Sequence, residues 1–304
     1  MSAVSRQELE TRNLKPETRL MGREEELAQL QSWLDKARQG ERQMAFVTGE
    51  PGIGKTALVE TFLARLAAAG DLWVAQGQCV EHYGAGEAYL PVLAALERLA
   101  QALGSERLSG VLRQHAPPWL VQLPSLTDPA ERESLQRQLV GTTRQRMLRE
   151  IAQALEALTT ERVLVLWLED LHGSDYSTLD LLAYLAQRPK RARVLVIGTY
   201  RPVEVLAREH PLGAVQQELL LHGQCQELPL GALTEAAVGE YLAVRFSSGT
   251  LGTALPPELL SGVGFLLGTA HGRHSRESGN PAIPRVTAQR AWMPACAGMT
   301  AERA

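Results

Sequence analysis

Residues 49–56 read Gly49-Glu50-Pro51-Gly52-Ile53-Gly54-Lys55-Thr56. The spacing is Gly, four residues, then Gly-Lys-Ser/Thr, which is the pattern of a phosphate-binding loop, or P-loop. The apolar run Met44–Thr48 directly before it predicts a buried strand. After it, apolar residues recur at helical spacing, at Ala57, Leu58, Phe62 and Leu63. The loop therefore lies between a predicted strand and a predicted helix, the context that phosphate binding requires.

The chemistry of such a loop follows from its backbone. Glycines adopt conformations that other residues resist, so consecutive amide N–H groups can turn toward a phosphate at the positive end of the next helix. Lys55 would reach the β- and γ-phosphates, and the Thr56 hydroxyl would hold Mg²⁺. The sequence therefore predicts an ATP site that includes Gly49, Glu50, Pro51, Gly52, Ile53, Gly54, Lys55, Thr56 and Ala57. The alternative is a chance match in a turn.

The composition is that of an ordinary globular chain, with 304 residues of which 45% are hydrophobic. A net charge of −3 provides no global basic surface, so we expect no direct binding to nucleic acid. Cys79, Cys225 and Cys296 lack the spacing of a metal or redox motif. The longest apolar run, Val163–Leu168, is too short to span a membrane. We therefore expect a cytoplasmic protein.

Strand-like and helix-like segments alternate along the chain. Further strands are predicted at Leu72–Cys79, Val163–Leu168, Val194–Gly198 and Cys225–Leu230. Helices are predicted from Met21–Leu27 onward and over Leu90–Leu99, and the chain breaks at Pro117-Pro118. A single apolar stripe covers residues 131–158. Single helices are further predicted near Ser177, between the fourth strand and Cys225, and from Leu233. We interpret the stripe as core that packs against the sheet. The alternation predicts an α/β fold with a doubly wound parallel sheet, whose ligands bind at the carboxyl ends of the strands.

An acidic pair, Glu169-Asp170, ends the third predicted strand. An acidic residue in this place usually accompanies a P-loop and orients Mg²⁺, while a second carboxylate can position the attacking water. We assign Glu169 to the metal and Asp170 to the water, although the reverse order fits as well. The alternative is an acidic helix cap or a surface ion pair.

Arg201 follows the fourth predicted strand, where a cation could touch the γ-phosphate. Such an arginine would distinguish ATP from ADP, whereas the alternative is a surface ion pair. His172 lies near the acidic pair and is interpreted as a residue of a loop or a helix start. His82 lacks metal spacing and is given no role.

Four motifs together resemble the AAA-type ATPase domain of STAND-class signalling proteins, such as MalT/LuxR-type activators and ATPase-linked adenylate cyclases. They are Met21–Glu24, Gly49–Thr56, Leu168–His172 and Gly198–Pro202, and the resemblance covers residues 20–260. It implies a P-loop NTPase with strand order 5-1-4-3-2, Gly22 and Arg23 near the adenine and ribose, Arg201 as a phosphate sensor, a helical lid and slow hydrolysis. The resemblance also implies binding of ATP and ADP, and association with further copies of this chain or with other signalling proteins.

Two features depart from that pattern. Gly173 stands where the family has a tryptophan. The chain also leaves the family's lid sequence after about residue 260, and Gly279-Asn280-Pro281 imitates a lid motif by coincidence. We expect a leader at 1–20, a core at 21–230, the start of an incomplete lid at 231–260 and an irregular tail at 261–304. The tail resembles a translated repeat element, which suggests truncation of a longer regulator.

The leading hypothesis is an ATP-binding, slowly hydrolysing switch module. A nucleotide-binding module or non-functional fragment without turnover is the second hypothesis, since an incomplete lid would leave the nucleotide exposed to water. A small-molecule kinase and a direct DNA-binding protein are weaker, because no acceptor pocket, arginine-bearing lid or basic recognition helix is visible.

Overall fold

The computed structural model describes residues 20–67, 72–79 and 87–246, with side chains up to residue 242. The expected leader up to residue 19, His82, Cys296, the predicted lid beyond residue 246 and the whole tail at 261–304 lie outside the described residues.

Strands and helices alternate through the described ranges. The strands are β1 (Gln43–Thr48), β2 (Leu72–Gln78), β3 (Val163–Glu169), β4 (Val194–Tyr200) and β5 (Gln226–Pro229). The helices are α1 (Glu24–Arg38), α2 (Lys55–Ala67), α3 (Leu90–Leu103), α4 (Ser105–His115), α5 (Pro117–Val121), α6 (Pro129–Gln138), α7 (Arg144–Leu158), α8 (Tyr176–Gln187), α9 (Pro202–Ala207), α10 (Leu212–Leu221) and α11 (Glu235–Phe246). Short 3-10 turns occupy Pro124–Leu126 and Leu171–Gly173. All five predicted strands are present.

The strands form one parallel sheet in the order β2-β3-β4-β1-β5. Read from the other edge, this is the expected order 5-1-4-3-2, and the predicted α/β fold of a P-loop NTPase is confirmed. In this order β1 lies between β4 and the edge strand β5, so the P-loop leaves the sheet one strand in from that edge. The ends of β3 and β4 lie beside it, because Leu168 of β3 pairs with Gly198 of β4 and Thr48 of β1 with Tyr200 of β4.

The sheet is covered by helices on both faces, which explains why its strands are apolar on both sides. Successive side chains of a strand alternate between faces. Leu164, Leu166 and Leu168 of β3 therefore join the core cluster that includes α3, α4, α5, α7 and α8. Val163, Val165 and Trp167 join a second cluster with α1 and α2.

The predicted single stripe over residues 131–158 is wrong. The chain forms two helices there, α6 and α7, because Gly141 takes a left-handed backbone (φ +82°) and Thr143 caps the second helix by accepting a hydrogen bond from the Arg146 amide. Helix α6 buries none of its side chains. Helix α7 packs on α4 and α5, and its buried residues, such as Ile151 and Leu155, belong to the same core cluster as Leu164 of β3, so this part of the stripe is core as expected.

The segment between β4 and β5 also differs from expectation. It holds two helices, α9 and α10, rather than one. At Pro117-Pro118 the chain does break: α4 ends at His115, and a proline then occupies the first position of the short α5, where its missing N–H costs nothing.

A close backbone approach fixes where α3 lies on the edge strand β2. A Cβ added at Gly77 would stand 1.9 Å from the carbonyl oxygen of Pro91. Only glycine therefore allows the start of α3 to rest on β2 at this point.

Candidate functional site

The P-loop connects β1 to α2 in a compact turn. Gly52 (φ +76°) and Gly54 (φ +102°) both have left-handed backbones that side chains disfavour. The Ile53 amide donates to the Glu50 carbonyl, and the Leu58 amide donates to Gly54, which starts the helix. Glu50, Pro51, Gly52, Thr56 and Ala57 are exposed, so the rim of the loop and the first turn of α2 face solvent.

Lys55 lies inside this loop with only 7% of its surface exposed. Its Nζ donates to the carbonyl oxygens of Gly49 (2.8 Å) and Glu50 (2.9 Å). Burial, and after it the positive charge of Arg201, lower the pKa of Lys55, while Asp170, Glu50 and Glu204 oppose that change. Asp170, Arg201 and Glu204 therefore act electrostatically on Lys55, although they follow other strands.

Thr56 and Glu169 come from different elements and meet directly. The Thr56 hydroxyl, in the first turn of α2, donates to Glu169 Oε1 at 2.5 Å. Both groups offer hard oxygen ligands of the kind that Mg²⁺ prefers. Among the described residues, no group of three or more His, Cys, Asp or Glu side chains could hold a metal by itself. A Mg²⁺ ion at this pair would therefore need phosphate oxygens and water as further ligands.

Asp170 takes a left-handed backbone (φ +57°, ψ +47°) directly after β3, which is uncommon for a residue with a side chain. Two hydrogen bonds hold this turn: the Asp170 amide donates to Thr199 Oγ1 (3.1 Å), and the Gly173 amide donates to the Asp170 carbonyl (2.9 Å). Thr199 is fully buried near the end of β4. The sequence reasoning missed Thr199, whose signal was its place two residues before Arg201.

Arg201 follows β4 and pairs with a glutamate of the next turn. Its Nη1 donates to Glu204 Oε1 at 2.5 Å. Glu204 Oε2 lies 3.2 Å from Arg208 and 3.3 Å from Nε2 of His172, which is buried in the 3-10 turn after β3. The hydrogen bond from Arg201 lowers the pKa of Glu204. One carboxylate thus gathers Arg201, Arg208 and His172, and we name these four residues the Glu204 cluster.

Gly22 and Arg23 lie against the protein's own backbone. Arg23 is buried and donates to Glu26 (2.8 Å), to the Ile53 carbonyl (3.3 Å) and to the Gly231 carbonyl (2.6 Å). A Cβ at Gly22 would stand 2.4 Å from the Cβ of Ala237 in α11. This pair therefore links the P-loop to the chain that enters α11, a role that sequence reasoning did not foresee.

The described part of the chain contains no helix long and apolar enough to cross a membrane. Cys79 and Cys225 are buried free thiols, and burial raises the pKa of Cys225 to about 11.

Solved structures that are similar to this chain include three proteins. The Orc1 protein of Aeropyrum pernix in complex with DNA is 18% identical, with 83% of this chain and 56% of that chain covered and a TM-score of 0.41. Cdc6p from Pyrobaculum aerophilum is 15% identical, with 79% and 53% covered and a TM-score of 0.48. A Walker-type ATPase of Pyrococcus abyssi is 17% identical, with 84% and 66% covered and a TM-score of 0.43. The chain thus spans between about half and two thirds of the length of these proteins.

No curated protein matches the sequence. The family model described as the AAA ATPase domain matches residues 19–197, which is more than half of the 304 residues. The P-loop, the acidic pair after β3 and most of β4 fall within the matched range. The chain belongs to the AAA ATPase domain family.

Proposed function

We propose that this chain is an ATP-binding switch module that hydrolyses ATP slowly and serves a bacterial signalling or transcriptional regulator of the STAND class. Membership of the AAA ATPase domain family supports adenine nucleotides and ATPase chemistry in general. The STAND class is supported by the four ordered motifs of the sequence, from Met21–Glu24 to Gly198–Pro202. The proposed ligands are ATP, ADP and Mg²⁺.

One observation carries the proposal: Thr56 donates to Glu169 at 2.5 Å in the turn that also buries Lys55. This contact supports our assignment of Glu169, rather than Asp170, to the metal. Bound Mg²⁺ would neutralise charge on the phosphates. Lys55 would exchange two neutral carbonyl oxygens for phosphate oxygens, which form stronger, charge-assisted hydrogen bonds.

The remaining roles follow from position. Asp170, whose backbone Thr199 holds in place, would orient the attacking water. Arg201 would contact the γ-phosphate, which only ATP has. Gly22, Arg23, Gly49, Glu50, Pro51, Gly52, Ile53, Gly54, Lys55, Thr56 and Ala57 would surround the nucleotide, with Arg23 acting through the Ile53 carbonyl.

A nucleotide-binding module without turnover is the second candidate, and a specific observation favours it. The rim of the loop and Thr56 are exposed within the described residues, and efficient hydrolysis needs a site from which bulk water is excluded. Equilibrium binding of ATP without phosphate release above background would support this candidate.

The test is Lys55→Ala, with ATP and ADP affinities measured by calorimetry in Mg²⁺ and phosphate release measured alongside. We expect ATP affinity to fall by about 100-fold, because a charge-assisted hydrogen bond is worth about 1.5–3 kcal/mol. The matched control is Lys36→Ala, since Lys36 is an exposed lysine in the last turn of α1. Equal ATP affinity in the Lys55 and Lys36 variants, with thermal unfolding unchanged, would refute the proposal.

A cytoplasmic location, self-association and the lack of direct contact with nucleic acid stay predictions. Each is open to direct test by fractionation, by light scattering with ATP or ADP, and by a DNA-binding titration.

A further inference from the structure

Glu204 contacts more nitrogen-bearing side chains than an ordinary helix-capping glutamate requires. Its two carboxylate oxygens have different partners. Oε1 accepts a hydrogen bond from Arg201 at 2.5 Å, while Oε2 lies 3.2 Å from Arg208 and 3.3 Å from His172. A glutamate in the first turn of α9 also suits the positive helix end. That effect explains an acidic residue here but not the partner on Oε1.

Arg201 directly follows Tyr200, which pairs with Thr48 at the end of β1, so the cluster lies at the strand ends from which the P-loop leaves. The charges of both Arg201 and Glu204 act on Lys55, in opposite directions, alongside those of Asp170 and Glu50. Arg201 and Glu204 are one-third and about one-quarter exposed, at 34% and 23% of their side-chain surface. A partly exposed pair of this kind is weakly held, so its guanidinium can exchange one anion for another.

A γ-phosphate is the stronger of the two anions that Arg201 could bind. Guanidinium pairs with phosphate oxygens in a two-pronged geometry, and a terminal phosphate carries more charge than one carboxylate. For Arg201 to direct its Nη1 group at the γ-phosphate, the hydrogen bond from this group to Glu204 Oε1 has to break. The free energy needed to break this hydrogen bond therefore weakens ATP binding, whereas ADP lacks the γ-phosphate and leaves the pair intact.

We propose that Glu204 sets the preference of the site for ATP over ADP by competing with the γ-phosphate for Arg201. The inference rests on the proposed function, because it needs a nucleotide at the P-loop. In this role Glu204 is a specificity-determining residue that touches Arg201 and never the nucleotide.

The test is Glu204→Gln, with ATP and ADP dissociation constants measured by calorimetry on the full chain. Glutamine keeps the size of the side chain and removes the charge that holds Arg201. The ratio of ATP affinity to ADP affinity should rise by about two- to fivefold, the range that a partly exposed ion pair provides. An unchanged or lowered ratio of ATP to ADP affinity would overturn the inference.

Two controls separate this competition from a general effect of charge. In the double variant Arg201→Ala/Glu204→Gln, the second substitution should change the ratio of ATP to ADP affinity no further, because its effect on that ratio passes through Arg201. Glu218→Gln, an exposed glutamate on α10, should leave both affinities at wild-type values. An equal rise in the ratio of ATP to ADP affinity with and without Arg201 would overturn the inference.

The outcome also distinguishes the two proposals. Normal ATP and ADP binding that depends on Lys55, with no change in the ratio for Glu204→Gln, would overturn only the role of Glu204. A wild-type chain that binds neither nucleotide would overturn the proposed function and this inference together.

Discussion

The two ends of the sheet each gather cationic side chains around one glutamate, in opposite environments. At the amino ends of the strands, Glu156 accepts hydrogen bonds from Arg188 (2.7 and 3.0 Å) and Arg42 (3.3 Å), and Lys190 lies 3.1 Å away. At the carboxyl ends lies the Glu204 cluster. The side chain of Glu156 is 2% exposed, against 23% for Glu204.

Burial decides what each cluster can do. Burial by itself would raise the pKa of Glu156, but the hydrogen bonds from Arg188 and Lys190 outweigh it and the pKa lies below its usual value. A buried carboxylate that lost these partners would remain an uncompensated charge, so its pairs are permanent. Water can solvate the partly exposed Glu204 instead. The amino end therefore serves the fold, whereas the Arg201–Glu204 pair at the carboxyl end is partly exposed and more weakly held.

The largest expected effect comes from breaking the buried cluster. Glu156→Ala leaves Arg42 and Arg188 without their carboxylate beneath the sheet, and should lower the free energy of unfolding by about 3–5 kcal/mol. Urea unfolding followed by circular dichroism measures the loss. The matched control is Glu161→Ala, whose side chain is 70% exposed and pairs with Arg107, with an expected loss of at most about 1 kcal/mol. Equal losses in the two variants would show that burial does not set what Glu156 contributes to stability.

The sequence predicted the carboxyl end far better than the amino end. Apolar runs located β1 and β3, and the P-loop and acidic residues that follow them were visible as local patterns. Strand order came from the family resemblance, not from periodicity. Glu156 could not be found in this way, because its partners Arg42 and Arg188 lie 114 and 32 residues away and meet it only in the folded sheet.

Two other misses had different causes. The break between α6 and α7 carried a local signal that the hydrophobic stripe overrode: Gly141 can end a helix, and Thr143 can cap the next one. Thr199 and Glu204 act through contacts with Asp170 and Arg201, so their roles depend on how adjacent strand ends face each other. The place of Thr199 two residues before Arg201 was its only sequence signal, and it did not show which group the hydroxyl would contact.

A smaller loss of stability is expected when the left-handed backbone of Asp170 at the carboxyl end loses its support. Thr199→Val keeps the shape of a buried side chain and removes the acceptor for the Asp170 amide. Unfolding free energy should fall by about 1–3 kcal/mol, the cost of an unsatisfied buried donor. The control is Thr160→Val at the amino end, since that exposed hydroxyl donates only to the Ala157 carbonyl, and it should cost under about 1 kcal/mol. No difference between the variants would mean that Thr199 does not stabilise the turn.

The smallest expected effect is the pH dependence of unfolding free energy, which can be compared directly between Glu156 and Glu204. Both have pKa values lowered in the fold from a usual value of 4.5. A lowered pKa adds stability that is present above the usual value and is lost as the pH falls through the folded value. The stability advantage of wild type over Glu156→Gln should therefore be full at pH 6–7 and shrink below about pH 4.5. The stability advantage of wild type over Glu204→Gln should depend on pH in the same direction but less strongly, because water screens this partly exposed pair. Urea unfolding between pH 3.5 and 7 measures both dependences. A larger pH dependence for Glu204 than for Glu156 would contradict the conclusion that the Glu156 pairs are the more strongly held.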